Sequence, residues 1–284
     1  MRLSGIVLVL LIVAIYIGLP TIMAVGVIMP DADNTGEPPE GFTNVTLTTR
    51  DDVQLAAWYA EPENGAVIIL LHGAGNERED VREHALMLHE NGFGVLAMNL
   101  RGHGDSTGRI NRLGWDGSLD VGAAVDYLSG RDNVDFIGAL GLSMGGEILL
   151  GAASQYPIIG AIVADGATFR AVDDYVSLPS NRPLYRNMVT GIFTFMVSVF
   201  TGDQQPSPTL LNSIRAADST SFLFIAAGNV GEEIDYNEMF HHEVADRSEL
   251  WIIPDVGHTQ GFTRNRTEYE QRLINFFTTA LSDL

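Results

Sequence analysis

The chain has 284 residues, enough for one large α/β domain or two small ones. Its 36 acidic residues outweigh 16 basic ones for a net charge of -20, so the basic face that nucleic-acid binding requires is absent. Every basic residue is Arg and there is no Cys, which excludes a disulfide framework, a thiolate metal site and a cysteine nucleophile.

The first element is the apolar run from Leu3 to Pro30, which carries no charge after Arg2. A helix of about 20 apolar residues spans a bilayer, so this run is long enough with some tilt. A cleaved signal peptide is the rival reading, with Ala24-Val-Gly26 as a weak cleavage site, but its apolar region would be only about 7–15 residues long. Residues 1–30 are therefore read as an uncleaved, single-pass signal anchor. Arg2 lies on one side and Asp31, Asp33, Glu37 and Glu40 on the other, so the domain that follows is expected outside the cytoplasm. Residues 31–41, polar with Pro and acidic residues, read as a linker, and 42–284 as one domain.

Val45–Thr49 and Leu55–Ala60 alternate in polarity around Asp51-Asp52, which predicts a hairpin. Apolar runs follow at Ala66–Leu71, Val95–Leu100, Phe136–Leu142, Ile158–Val163, Phe222–Ala227 and Leu250–Ile253. Continuous runs of this length fit strands buried on both faces. Helical patterns lie between and after them, at Arg78–Glu90, Gly117–Leu128, Gly145–Gln155, Tyr236–Ala245 and Thr267–Leu281. The alternation predicts an α/β fold with a mostly parallel, doubly wound sheet.

One junction in this series carries chemistry. Gly141-Leu-Ser143-Met-Gly145 stands between a predicted buried strand and a predicted helix. A serine in so sharp a turn needs glycine at both flanks, where a Cβ would collide with the strand and helix. The hydroxyl is then presented at a helix N-terminus, which favours developing negative charge. Downstream, about 167–220 breaks the alternation with the apolar stretch Met188–Phe200 and the Pro-rich Gln204–Pro208. Such an insertion reads as a small helical cap whose Phe and Met residues could line an acyl pocket, or else as a helix packed on the core.

The elbow, the upstream Leu71-His72-Gly73-Ala74-Gly75, the turn Asn99-Leu-Arg101-Gly-His103-Gly-Asp-Ser106 and the late Val256-Gly-His258-Thr259 together resemble the α/β-hydrolase superfamily across roughly residues 45 to 281. The resemblance implies a nucleophile, acid and histidine in that chain order. Three histidines follow Ser143. His241 and His242 fall in a helical pattern, whereas His258 follows the last strand in a Gly-containing loop at the sheet end where the elbow lies, and is the expected base. His103 reads as a structural loop residue.

The acid departs from the family pattern. Gly228-Asn-Val-Gly-Glu232-Glu233-Ile234 has Gly231 where an Asp is usual, and alignment on Ile234 puts Glu232 in the acid position; Glu233 and Asp165 are the alternatives. The resemblance assigns the oxyanion hole to the backbone N–H groups of Met144 and Ala74. No cofactor and no metal are implied, and Asp31, Asp33 and Asp173-Asp174 lack calcium-site spacing. The expected function is a membrane-held serine hydrolase of small-molecule esters, esterase- or lipase-like. A catalytically decayed tethered binding protein is the alternative, as are thioester, acyl-transfer or peptide chemistry on the same triad.

Overall fold

Eight strands form a single sheet in the order β1-β2-β4-β3-β5-β6-β7-β8. The computed structural model describes residues 2–29, 36–110, 112–178 and 184–282. β1 (Thr43–Thr48) and β2 (Gln54–Ala60) form the expected hairpin, with Asp52 at positive φ in its turn. β2 joins β4 (Gly94–Met98) antiparallel, and every other pairing is parallel. These involve β3 (Ala66–Leu71), β5 (Phe136–Leu142), β6 (Ile159–Asp165), β7 (Ser221–Ala227) and β8 (Ser248–Ile253).

Strand β3 shows why continuous apolar runs were needed. Val67, Ile69 and Leu71 join the core on one face of the sheet, while Ala66, Ile68 and Leu70 join the core on the other. Helix α3 (Arg82–Glu90) covers the second face, entered through a 3₁₀ turn at Arg78–Val81. Helices α4 (Gly117–Ser129) and α5 (Met144–Ala152) cover the first.

Between β6 and β7 lie α6 (Val172–Ser177), α7 (Leu184–Thr201) and α8 (Leu210–Ala216). Helix α9 (Gly231–Glu243) starts five residues before the expected Tyr236, because Gly231-Glu-Glu already turns and its carboxylates suit the positive end of a helix. The chain closes with α10 (Gly261–Arg264) and α11 (Arg266–Ser282).

The N-terminal run is helical: α1 (Arg2–Val13) and α2 (Leu19–Ile28) are joined by a π-helical turn at Ala14–Gly18. Among the described residues, Gly5–Ile28 is the one helix long and apolar enough to cross a membrane. Its second half does not stand free. Ala24 is buried with Val197 of α7 and Trp115, and Arg112 N–H donates to Val27 O at 3.0 Å. Residues 30–35 of the expected anchor end and linker, including Asp31 and Asp33, lie outside the described residues.

Candidate active site

The turn from β5 into α5 has the backbone that its glycines foretell. Ser143 sits at φ 51, ψ -117, a conformation rare outside glycine and tolerated where the surroundings enforce it. A Cβ on Gly141 would lie 2.3 Å from the Gly145 carbonyl carbon, and one on Gly145 would lie 2.5 Å from Leu71 O. Ser143 N–H donates to Asp165 O at 2.7 Å, tying the elbow to the end of β6, and Ser143 O accepts from Glu147 N–H at 3.0 Å as the helix begins.

His258 reaches this serine from the loop after β8. Its Nε2 lies 2.9 Å from Ser143 Oγ, and its Nδ1 lies 2.5 Å from a carboxylate oxygen, Glu233 Oε1. An Nδ1–H donated to the carboxylate leaves Nε2 as the acceptor of the serine hydroxyl proton. The bond to Glu233 is the chief reason that the imidazole pKa rises above 6.5, and partial burial works against it. The loop approaches closely enough that a Cβ on Gly166, at φ 74, would lie 3.1 Å from His258 Nδ1.

The carboxylate that meets His258 belongs to Glu233, not to Glu232, which the sequence had favoured. Glu233 is 1% exposed, and its second oxygen accepts Ala227 N–H at 2.9 Å, so the end of β7 fixes its orientation. Glu233, Tyr236, Asn237 and Phe240 form the buried face of α9, and Glu232 lies off that face. Their helical spacing was the available signal, hidden because the helix was taken to begin at Tyr236. Asp165 does not meet His258 either. It accepts the Tyr269 hydroxyl at 2.8 Å, and burial, with the Glu233 charge adding, pushes its pKa up to about 7.

The loop after β3 faces the serine from the other side, where a Cβ on Gly73 would lie 3.5 Å from Ser143 Cβ. Buried His72 braces this loop. Its Nε2 accepts Leu100 N–H at 3.1 Å, which leaves Nδ1–H to donate to Gly73 O at 2.8 Å. Burial, reinforced by His103, holds its pKa down to about 3, so the ring stays neutral. Ala74 follows Gly73 in this loop, and Met144 opens α5, where the first N–H groups have no carbonyl a turn earlier. Among the described residues, no group of His, Asp and Glu could hold a metal ion.

Two cavities flank these residues. A polar one of about 350 Å³ is bordered by Leu142 and Thr259, the chain neighbours of Ser143 and His258, and by Asn76, His84 and Arg266. An apolar one of about 380 Å³ lies between the N-terminal helix, α6 and α7, with Glu232 at its border. Residues 167–220 supply Phe169, Tyr175, Tyr185 and Val189 to the apolar cavity but no Met, and the shares of the N-terminal helix and of Glu232 had no mark in the sequence, nor had the polar cavity.

Residues 62–203, which carry Ser143 but neither Glu233 nor His258, match the family described as serine aminopeptidase, S33. An uncharacterized protein of Mycobacterium tuberculosis is 26% identical over 222 residues, covering 76% of this chain and 72% of the relative. Among solved structures, the Pyrococcus furiosus esterase Pf2001 superposes with a TM-score of 0.68 at 23% identity, over 89% of this chain and 97% of its own. The α/β hydrolase GrgF from Penicillium sp. sh18 gives 0.67 at 15% identity, over 85% of this chain and 99% of its own. The esterase EaEST from Exiguobacterium antarcticum gives 0.62 at 15% identity, over 82% and 99%. At these identities the likeness is one of fold, and the fold is that of the α/β hydrolases.

Proposed function

The chain belongs to the serine aminopeptidase S33 family of α/β hydrolases, and from that premise we propose that it is a membrane-anchored serine esterase working through an acyl-enzyme. One observation carries this reading: the unbroken hydrogen-bonded line from Glu233 through His258 to Ser143. Serine is a poor nucleophile until a base takes its proton, and this line supplies a base held in the required tautomer.

Ser143 Oγ attacks the ester carbonyl carbon as its proton passes to His258 Nε2. The Met144 and Ala74 N–H groups receive the oxyanion, and Glu233 stabilises the imidazolium without taking its proton. Collapse breaks the bond to the alcohol oxygen, which leaves with the proton from Nε2. Water then enters, gives a proton to His258 and attacks the acyl carbon; Ser143 departs reprotonated and a carboxylic acid is released. The polar cavity beside Leu142 and Thr259 takes the leaving alcohol. The chemistry needs no cofactor.

In this reading residues 1–30 stay attached as a signal anchor, and the helices within 167–220 form the cap. The domain lies outside the cytoplasm, as Arg2 on one flank and Glu37 and Glu40 on the other argue.

The test is turnover of p-nitrophenyl esters from acetate to palmitate by the full chain, with labelling by a fluorophosphonate. Ser143→Ala and His258→Ala should each abolish turnover, and the label should sit on Ser143. Neither turnover nor labelling would point instead to a tethered binding protein. Turnover confined to aminoacyl p-nitroanilides would make it a peptidase.

A further inference from the structure

We propose that the N-terminal helix is a wall of the substrate site, forming with α7 a crevice that admits the acyl chain of a membrane-resident ester sideways from the bilayer. The inference rests on the esterase reading and adds the source of the substrate and the path it takes.

The crevice is lined by Ile15 and Leu19 of the N-terminal helix, Tyr185 and Val189 of α7, and Phe169 and Tyr175. Its volume of about 380 Å³ lies within the usual range for small-molecule sites, and its surface is mainly apolar. Two of its lining residues, Glu232 and Phe169, are chain neighbours of residues tied to the catalytic line. Glu232, at its border, precedes the carboxylate that meets His258. Phe169 follows Thr168, whose N–H and hydroxyl both donate to Glu147 Oε1, and Glu147 N–H in turn holds Ser143 O.

The position of the helix sets the depth of the crevice. The apolar run starts after Arg2, and from there to Ala14 the helix rises only about 18 Å at 1.5 Å per residue. A hydrocarbon core is about 30 Å thick, so roughly 12 Å of the span must lie beyond Ala14. There the helix runs alongside α7 in the same direction. Ile15 and Leu19 share the crevice with Tyr185 and Val189, and Ala24 is buried with Val197. The first two turns of α7 therefore enter the hydrocarbon with it, and the crevice between them opens there.

The outer surface of α7 agrees with this placement. In its first two turns Leu184 is 74% exposed and Tyr185 53%, with Met188 also outward. An apolar face this extensive on a water-facing helix would be an aggregation hazard, whereas next to a membrane span it is solvated by lipid. Arg186, the one charge on α7, borders the crevice, where its long stem can lie on apolar surface.

The experiment uses the full chain in lipid nanodiscs. The ratio of kcat/KM for p-nitrophenyl laurate to that for the acetate is measured for the wild type, for Leu19→Trp and Val189→Trp, which fill the crevice, and for Ile22→Trp, which is 71% exposed and outside it. The two filled variants should lower the ratio about tenfold or more, while Ile22→Trp stays within about twofold of wild type. An unchanged ratio in both filled variants, with acetate still hydrolysed, overturns the crevice and leaves the esterase reading intact. No turnover of any ester by the wild type removes that reading and this one with it. A second measurement is independent of turnover. With Tyr185→Trp in nanodiscs of brominated phosphatidylcholine, the new emission should be quenched by the lipid bromines; an unquenched signal means that α7 lies outside the bilayer.

Discussion

Glu232 and Glu233 are consecutive residues in the first turn of α9, yet Glu232 borders the crevice against the N-terminal helix while the Glu233 carboxylate meets His258 at 2.5 Å. Successive helical residues project about 100° apart, so at most one of the two could point at the sheet end. The backbone chose Glu233, whose other oxygen is occupied by Ala227 N–H.

The first prediction separates the two acids. Glu233→Gln should lower kcat for short esters by about 10³–10⁴ with little change in KM, because the carboxylate acts through His258 and does not touch substrate. Glu233→Asp should recover part of the loss. Steady-state kinetics of both, beside Glu232→Gln, decide the matter; a larger kcat loss in Glu232→Gln would return the acid to the position the sequence favoured.

The second concerns pH. His258 must be neutral to accept the serine proton, and its pKa is raised above 6.5 chiefly by the Glu233 contact. The acid limb of kcat/KM should therefore have its midpoint above 6.5, with activity rising as pH rises through it. In Glu233→Gln the midpoint should move down, while in Glu232→Gln it should stay. A pH profile with the same midpoint in Glu233→Gln as in the wild type would show that the contact does not control the base.

Much of the fold could be read from the chain because backbone sterics and burial leave local marks. β3 and β5 keep the expected bounds, since a strand buried on both faces must be apolar throughout. The elbow was legible for a similar reason, as no side chain fits at Gly141 or Gly145. The acid was less so. Its identity depends on which way a helical turn faces, and two adjacent glutamates differ in that alone. The pairing of the N-terminal helix with α7 left no mark at all, because both are apolar on several faces and fix no register by pattern.

The third prediction tests the elbow. Gly145→Ala places a methyl 2.5 Å from the Leu71 carbonyl oxygen, and Gly141→Ala places one 2.3 Å from the Gly145 carbonyl carbon. Both neighbours are backbone and cannot swing aside, so each change should cost more than about 3 kcal/mol, a fall in Tm of roughly 10 °C. Gly231→Ala is the control. Nothing lies within 4 Å of its added methyl, and it should be neutral or slightly stabilising. Thermal unfolding of the three measures this directly, and equal losses in all three would mean that the packing at the elbow is not the constraint.

The last prediction follows from Asp165, which is buried against Tyr269 and 3% exposed. Its pKa is raised from 3.8 to about 7, first by burial and then by the Glu233 charge. Between those values the folded chain keeps a proton that the unfolded chain has lost, so folding stability falls as pH rises through this window. This is the reverse of the usual paired carboxylate, whose stabilisation is lost on acidification. Asp165→Asn removes the titration while its amide oxygen can still accept the Tyr269 hydroxyl. The Tm of the variant relative to the wild type should rise by several degrees between pH 5 and pH 8. Glu147, whose pKa burial also pushes up to about 7, keeps part of the slope in the variant, so the decline with pH becomes shallower without vanishing. Equal declines in the two proteins would mean that Asp165 ionises as freely folded as unfolded, and that burial beside the Glu233 charge does not hold its proton.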